Sequence, residues 1–158
     1  MKKKISFLIL IIIIQIISAE PTRPWEIPYQ IEGLWIIMDD VTKLEVGKVN
    51  ISVHNDTLYS VIQEIYGKKR GGIPLCTLCV DSLKDKPIEG MRILWGFVQS
   101  DRTWKKGRML DIQDGKIYRA ELELSPDESE LVIFSYVRRI IKIGRTQRWI
   151  KVETDQKK

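Results

Sequence analysis

From Glu32 onward the chain alternates apolar and polar residues in short runs rich in Ile, Val, Tyr and Trp, separated by turn residues. A period of two marks a half-buried strand, because successive side chains of an extended backbone point to opposite faces. The clearest run is Gly47 to His54, where Val49, Ile51 and Val53 alternate with Lys48, Asn50 and Ser52 before a turn at Asn55-Asp56. The same pattern predicts strands over Gly33–Met38, Leu58–Tyr66, Met91–Gln99, Gly107–Ile112, Lys116–Leu124, Glu130–Arg138 and Thr146–Glu153. Asp114-Gly115 signals a hairpin, since glycine accepts the positive φ such turns need, and Ser125-Pro126-Asp127 marks the next turn. About eight antiparallel strands with mostly short connections predict an all-β fold, a single closed antiparallel barrel, because closure leaves no unpaired edge. A two-sheet sandwich is the alternative.

The N-terminus follows another pattern. Lys2, Lys3 and Lys4 precede an apolar run from Ile5 to Ile17, broken only by Ser6 and Gln15, and then Ser18-Ala19-Glu20-Pro21. That order is expected of a secretory signal peptide cut between Ala19 and Glu20. The run is thirteen residues, short of the roughly 20 that span a bilayer, so no stable membrane span is expected once the leader is gone; an uncleaved anchor is the alternative. The expected plan is a signal peptide over 1–19, an extended leader over 20–31 containing Pro21, Pro24 and Pro28, a barrel over 32–153, and a frayed tail over 154–158. The expected location is exported, periplasmic or extracellular.

Export changes the charge argument. The formal +5 of the chain includes three leader lysines, and without them the balance falls to +2. That gives no reason to expect nucleic acid, which calls for a clustered basic face.

Export also sets the reading of Cys76 and Cys79, the only two cysteines, which lie in a long irregular stretch over residues 68–86 with Lys68-Lys69-Arg70, Gly71-Gly72 and Pro74. In an oxidising compartment the default for such a pair is a disulfide. A zinc site would need two further ligands, and His54 is the sole histidine. A c-type haem needs histidine directly after the second cysteine, where Val80 stands. A catalytic dithiol would want its first cysteine at a helix start, and the residues before Cys76 read as loop. A bridge over so short a loop shapes the loop more than it holds the fold, stabilising by roughly 2 kcal/mol in the chain-entropy model.

No nucleophile–base set or metal-ligand cluster is visible, so no catalytic residue, metal or cofactor is assigned. The aromatic residues are more informative. Trp35, Trp95, Trp104 and Trp149 fall in or beside strands, where their rings are either core or the wall of a cavity. An eight-stranded barrel is the size that can hold one small ligand. Trp35, Trp95, Tyr118 and Trp149 are the candidate wall residues.

Gly33-Leu34-Trp35 on the first strand, followed by successive hairpins, resembles the opening of the lipocalin-like, or calycin, proteins. In that group the tryptophan closes the barrel base and packs against an arginine from a late strand, a role the resemblance gives to Arg145. Read in order, Gly33-Leu34-Trp35, Cys76-Thr77-Leu78-Cys79, residues 84–94, Trp104 and Gly107, Asp114-Gly115-Lys116-Ile117-Tyr118 and Gly144-Arg145-Thr146-Gln147-Arg148-Trp149 resemble the exported bacterial family called domain of unknown function twenty-one forty-seven. The chain departs from that family's pattern at Lys106-Gly107, Asp111-Ile112, Phe134-Ser135-Tyr136 and Arg138-Arg139. The resemblance implies a compact lipocalin-like barrel with no established activity. The expectation is therefore a non-enzymatic exported barrel that binds a small apolar or amphipathic ligand. The alternative is an envelope interaction module docking a protein or a membrane surface through the basic loop 68–86.

Overall fold

The computed structural model describes residues 29–67, 74–138 and 141–153. The signal-peptide segment, its cleavage point, residues 20–28 of the extended leader, the basic triplet at 68–70 and the tail at 154–158 lie outside the described residues. Eight strands follow one another around a closed barrel, each hydrogen-bonded to the next and the last to the first. They are β1 (Gly33–Met38), β2 (Glu45–His54), β3 (Thr57–Ile65), β4 (Arg92–Ser100), β5 (Thr103–Asp111), β6 (Lys116–Leu124), β7 (Glu130–Arg138) and β8 (Lys142–Lys151). All pairings are antiparallel.

Alternation fixes what lies inside. Val49 and Ile51 on β2, Leu58 and Ile62 on β3, Ala120, Leu122 and Leu124 on β6, and Leu131 and Ile133 on β7 are all buried, with polar or half-exposed neighbours between them. Two strands begin a full four residues earlier than the alternation predicts. β5 starts at Thr103 because a bulge between Trp104 and Gly107, with Lys106 at φ 66°, turns both Lys105 and Lys106 outward and restores the inward parity at Gly107 and Met109. β8 starts at Lys142, where Gly144 lies so close to the Ser135 carbonyl that no side chain fits. The Asp114-Gly115 signal also resolves differently: Asp111 pairs with Lys116 across a four-residue loop, with Gly115 at φ +72° donating its N–H to the Asp111 carbonyl at 2.8 Å.

The two ends of the barrel are built differently. At the first end, Trp35 donates its indole N–H to the Ile31 carbonyl at 2.9 Å, and Ile31 is 2% exposed, so the segment before β1 folds across the base as a plug. Tyr29 extends this cover by donating its hydroxyl to Asp101 at 2.9 Å. At the second end lie the β1–β2 loop, the β5–β6 loop, the β7–β8 connection and the long segment between β3 and β4.

That long segment carries the disulfide between Cys76 and Cys79. Both cysteines are buried among core residues, and the loop is held by Cys76 N–H to the Lys86 carbonyl at 2.9 Å and by a bridge between Leu75 and Pro87. Its tip rests on the β5–β6 loop, where a Cβ on Gly115 would strike the Leu78 carbonyl. Changing Cys76 and Cys79 to serine should lower stability to urea by about 2 kcal/mol and leave the far-UV spectrum of the barrel intact. Gly115→Ala, which meets both a positive φ and a backbone atom, should cost on the order of 1–3 kcal/mol, measured the same way.

Candidate functional site

The seam between β1 and β8 decides where the predicted site residues fall. It has three register pairs, Trp35 with Lys151, Ile36 with Ile150 and Ile37 with Trp149. Trp35 and Trp149 are both fully buried on the inner face. Trp35 belongs to the closed base, whereas Trp149 lies further along and lines a cavity toward the open end. Arg145 does not meet Trp35. It stands six residues before Lys151 on β8, about 20 Å away at the rise of an extended strand. The cation beside Trp35 is instead Lys151, whose ammonium sits 5.5 Å from the ring centroid and also bonds the Gln30 carbonyl.

Trp95 is also not a wall residue. It pairs with Arg108, which is exposed, while its neighbour Leu94 pairs with the buried Met109, so Trp95 lies on the outer face and is only partly buried. Gly96, at φ +75°, lets Phe97 return to the inner face opposite Leu58. Tyr118 lies on the inner face near the open end, where its hydroxyl donates to Asp114 at 2.5 Å. That bond and burial raise its pKa. Burial pushes the Asp114 carboxyl up, but the Tyr118 hydroxyl, the Lys116 N–H and nearby cations outweigh it and hold the pKa below the usual value.

The open end contains two adjoining cavities. The inner one, about 170 Å³, is lined chiefly by apolar groups including Ile37, Ile65, Met109 and Trp149, with Gln147 among them. The outer one, about 270 Å³, lies at the lip between Tyr118, Ser135, Val137 and Ile143. Asp111 and Arg145 line both. They form an ion pair, Arg145 Nη2 to Asp111 Oδ2 at 2.5 Å, and Arg145 also donates to Gln113 Oε1 at 3.3 Å. The Asp111 side chain is 7% exposed and that of Arg145 36%. The pair is a bar of neutralised charge across an apolar mouth.

Beneath the bar are polar atoms without protein partners. Gln147 Oε1 and Trp149 Nε1 are buried, make no hydrogen bond, and belong to side chains lining the inner cavity. Ser60 Oγ, deeper in the barrel, is a third such atom. An unsatisfied buried polar group costs about 1–3 kcal/mol, so two on one cavity wall are a marked departure from ordinary core. Asp111 and Gln147 were not singled out from sequence, although the alternation Arg145, Gln147, Trp149 carries the signal that all three share one face. Among the described residues, no three His, Cys, Asp or Glu side chains come together to hold a metal ion.

Removing one partner of the bar should be worse than removing its charge altogether. Arg145→Met leaves the Asp111 carboxylate buried and unpaired, and should cost about 2–3 kcal/mol in urea unfolding, below the full cost of breaking a buried pair because Arg145 sits at the wet lip. The Gln113 backbone N–H donates to Asp111 Oδ1 at 2.9 Å, and the double variant Asp111→Asn/Arg145→Met, which keeps that acceptor, should recover more than half of that loss.

Comparison with known proteins agrees with this architecture. No curated protein matches the chain. Among solved structures, the chain is similar to protein HP1028 from the human pathogen Helicobacter pylori, described as belonging to the lipocalin family, with a TM-score of 0.68 and 18% identity over 80% of this chain and 86% of that one. At that identity the likeness is one of fold. The model of a family described as uncharacterized protein conserved in bacteria, DUF2147, matches residues 33–151. That match runs from Gly33 at the start of β1 to Lys151 at the end of β8, and the chain belongs to this family of uncharacterized bacterial proteins.

Proposed function

We propose that the protein binds a small amphipathic molecule at the open end of its barrel, with an apolar body in the inner cavity and a hydroxyl or amide group against Gln147 and Trp149. The observation that carries this reading is the pair of unsatisfied atoms, an acceptor at Gln147 Oε1 and a donor at Trp149 Nε1, in side chains that line the same chiefly apolar cavity. A ligand group that both donates and accepts a hydrogen bond answers both. A bare hydrocarbon would leave both penalties in place.

Size and charge narrow the reading. At about 170 Å³ and 270 Å³, the inner and outer cavities each fall short of the ~300 Å³ at which drug-sized sites begin. Swinging Arg145 aside would join them and reach that range. The inner end of the ligand is neutral, because a charge there would be stripped of water with no opposite charge free to meet it; Arg145 is already matched by Asp111. The polar side chains lining the cavity are the amides of Gln113 and Gln147, the Trp149 indole, the Tyr66 phenol and a neutralised ion pair, a set suited to recognition. The signal-like N-terminus and the disulfide both suit an exported protein in an oxidising compartment.

The test uses N-phenyl-1-naphthylamine, an apolar amine whose fluorescence rises in a dry site, displaced by 1-octanol. Saturable binding of one probe per protein, competed by octanol, is expected. Gln147→Leu and Trp149→Phe should each weaken octanol by about 5- to 30-fold, the worth of one hydrogen bond in a buried site, while leaving the purely apolar n-octane within about twofold. Met109→Trp, which fills the cavity, should abolish both. No saturable probe binding by folded protein would contradict the proposal.

A further inference from the structure

The outside of the barrel carries a second feature, which adjoins the lip of the outer cavity at Ile143. A groove of about 630 Å³ on the outer wall of β5, β6 and β7 is lined by Lys105, Lys106, Arg108, Arg119 and Lys142, with Glu121 as its only acid. Glu121 is already engaged, by the Lys142 ammonium at 2.6 Å and the Tyr136 hydroxyl at 3.1 Å, contacts that hold its pKa below the usual carboxylate range. Lys105, Lys106, Arg108 and Arg119 have no ion-pair partner among the described residues. Four cations without a direct ion pair therefore face one groove, Lys105 near enough to Glu121 to help hold its carboxyl ionised, on a chain whose charge is nearly balanced after residue 19.

The same groove ends at an apolar lip. Ile141, one of its lining residues, is 67% exposed, and Ile143 beside it is 56% exposed. Val41, Leu44, Leu78 and Val80 continue this exposed apolar rim around the open end. At the plugged end the turns carry polar and mostly acidic residues, among them Asn55, Asp56, Asp101, Asp127 and Glu128, and the open-end loops carry acids of their own at Asp39, Asp40, Asp81, Asp85 and Asp114. Asp127 at the plugged end is held at a pKa of about 2 by the hydroxyls of Ser125 and Ser129 and by the Ser129 N–H. The basic excess is thus confined to the wall of β5, β6 and β7, beside an exposed apolar rim.

We infer that Ile141, the start of β8 and the basic groove beside them form a docking surface for an anionic phospholipid leaflet, with Ile141 and Ile143 entering the headgroup–acyl boundary and Lys105, Lys106, Arg108 and Arg119 meeting lipid phosphates. The charge complementarity specifies phosphate-bearing lipid, and the adjoining apolar side chains require a partner with a hydrocarbon interior, which a soluble polyanion lacks. The surface differs from the basic triplet at 68–70, which lies outside the described residues. Docked in this way, the barrel opens its mouth toward the bilayer, the natural reservoir for a poorly soluble ligand.

Co-sedimentation with vesicles of phosphatidylcholine, with and without phosphatidylglycerol, tests the surface in the full chain, with every variant carrying the same N-terminus. Binding is expected only with phosphatidylglycerol, and it should fall at high salt. Lys106→Glu/Arg119→Glu and Ile141→Asp/Ile143→Asp should each reduce it by on the order of tenfold, with far-UV spectra unchanged. Three results would overturn the inference: no binding to anionic vesicles by folded protein, binding that both variants retain, as an N-terminal apolar segment alone would produce, or capture by dextran sulfate in the absence of vesicle binding. Loss of octanol binding with vesicle docking intact would count against the cavity reading alone.

Discussion

Everything in this fold depends on closing the sheet between β1 and β8. Three register pairs hold that seam, and closure gives every strand one inward and one outward face. Once the ring is shut, parity along each strand decides whether a side chain is core, lip or surface. Trp35 and Trp149 lie on the inner face of the two strands that close, and both are fully buried. The seam therefore joins the element that seals the base to the element that lines the cavity.

The two ends then diverge for local reasons. At the base, the indole N–H of Trp35 finds the Ile31 carbonyl, and Lys151 covers the ring while bonding the Gln30 carbonyl, so the buried indole of the plug is answered. At the open end, answers are missing. Gln147 and Trp149 bring a carbonyl oxygen and an indole N–H into an apolar space without partners. The nearest full charges, Asp111 and Arg145, neutralise each other rather than them. An apolar barrel tolerates such a gap when something other than protein completes it.

Much of this was legible in the sequence. Alternation alone located eight strands, and the bounds of Gly33–Met38, Lys116–Leu124 and Glu130–Arg138 match the structure residue for residue. The early start of β5 was hidden because a bulge places Lys105 and Lys106 side by side on one face, which in a flat strand would contradict the period of two. Trp95 misled for a related reason: the bulge at Gly96 gives Leu94 and Phe97 the inner face and leaves the large ring between them outside. Arg145 was recognised as part of a motif, but its partner could not be read, because Asp111 lies 34 residues earlier and reaches it only across the closed barrel mouth. Orphaned atoms such as Gln147 Oε1 have no sequence signature, since they are defined by what does not surround them.

The central claim is that the open-end cavity accepts a neutral, hydrogen-bonding ligand at Trp149. Nitrogen-15 NMR of the indole N–H groups during titration with 1-octanol tests it most directly. The account predicts that the Trp149 indole resonance moves saturably downfield as its N–H gains an acceptor, while that of Trp35, already bonded to Ile31, stays in place. A Trp149 resonance that does not respond at octanol concentrations near saturation in water would contradict it.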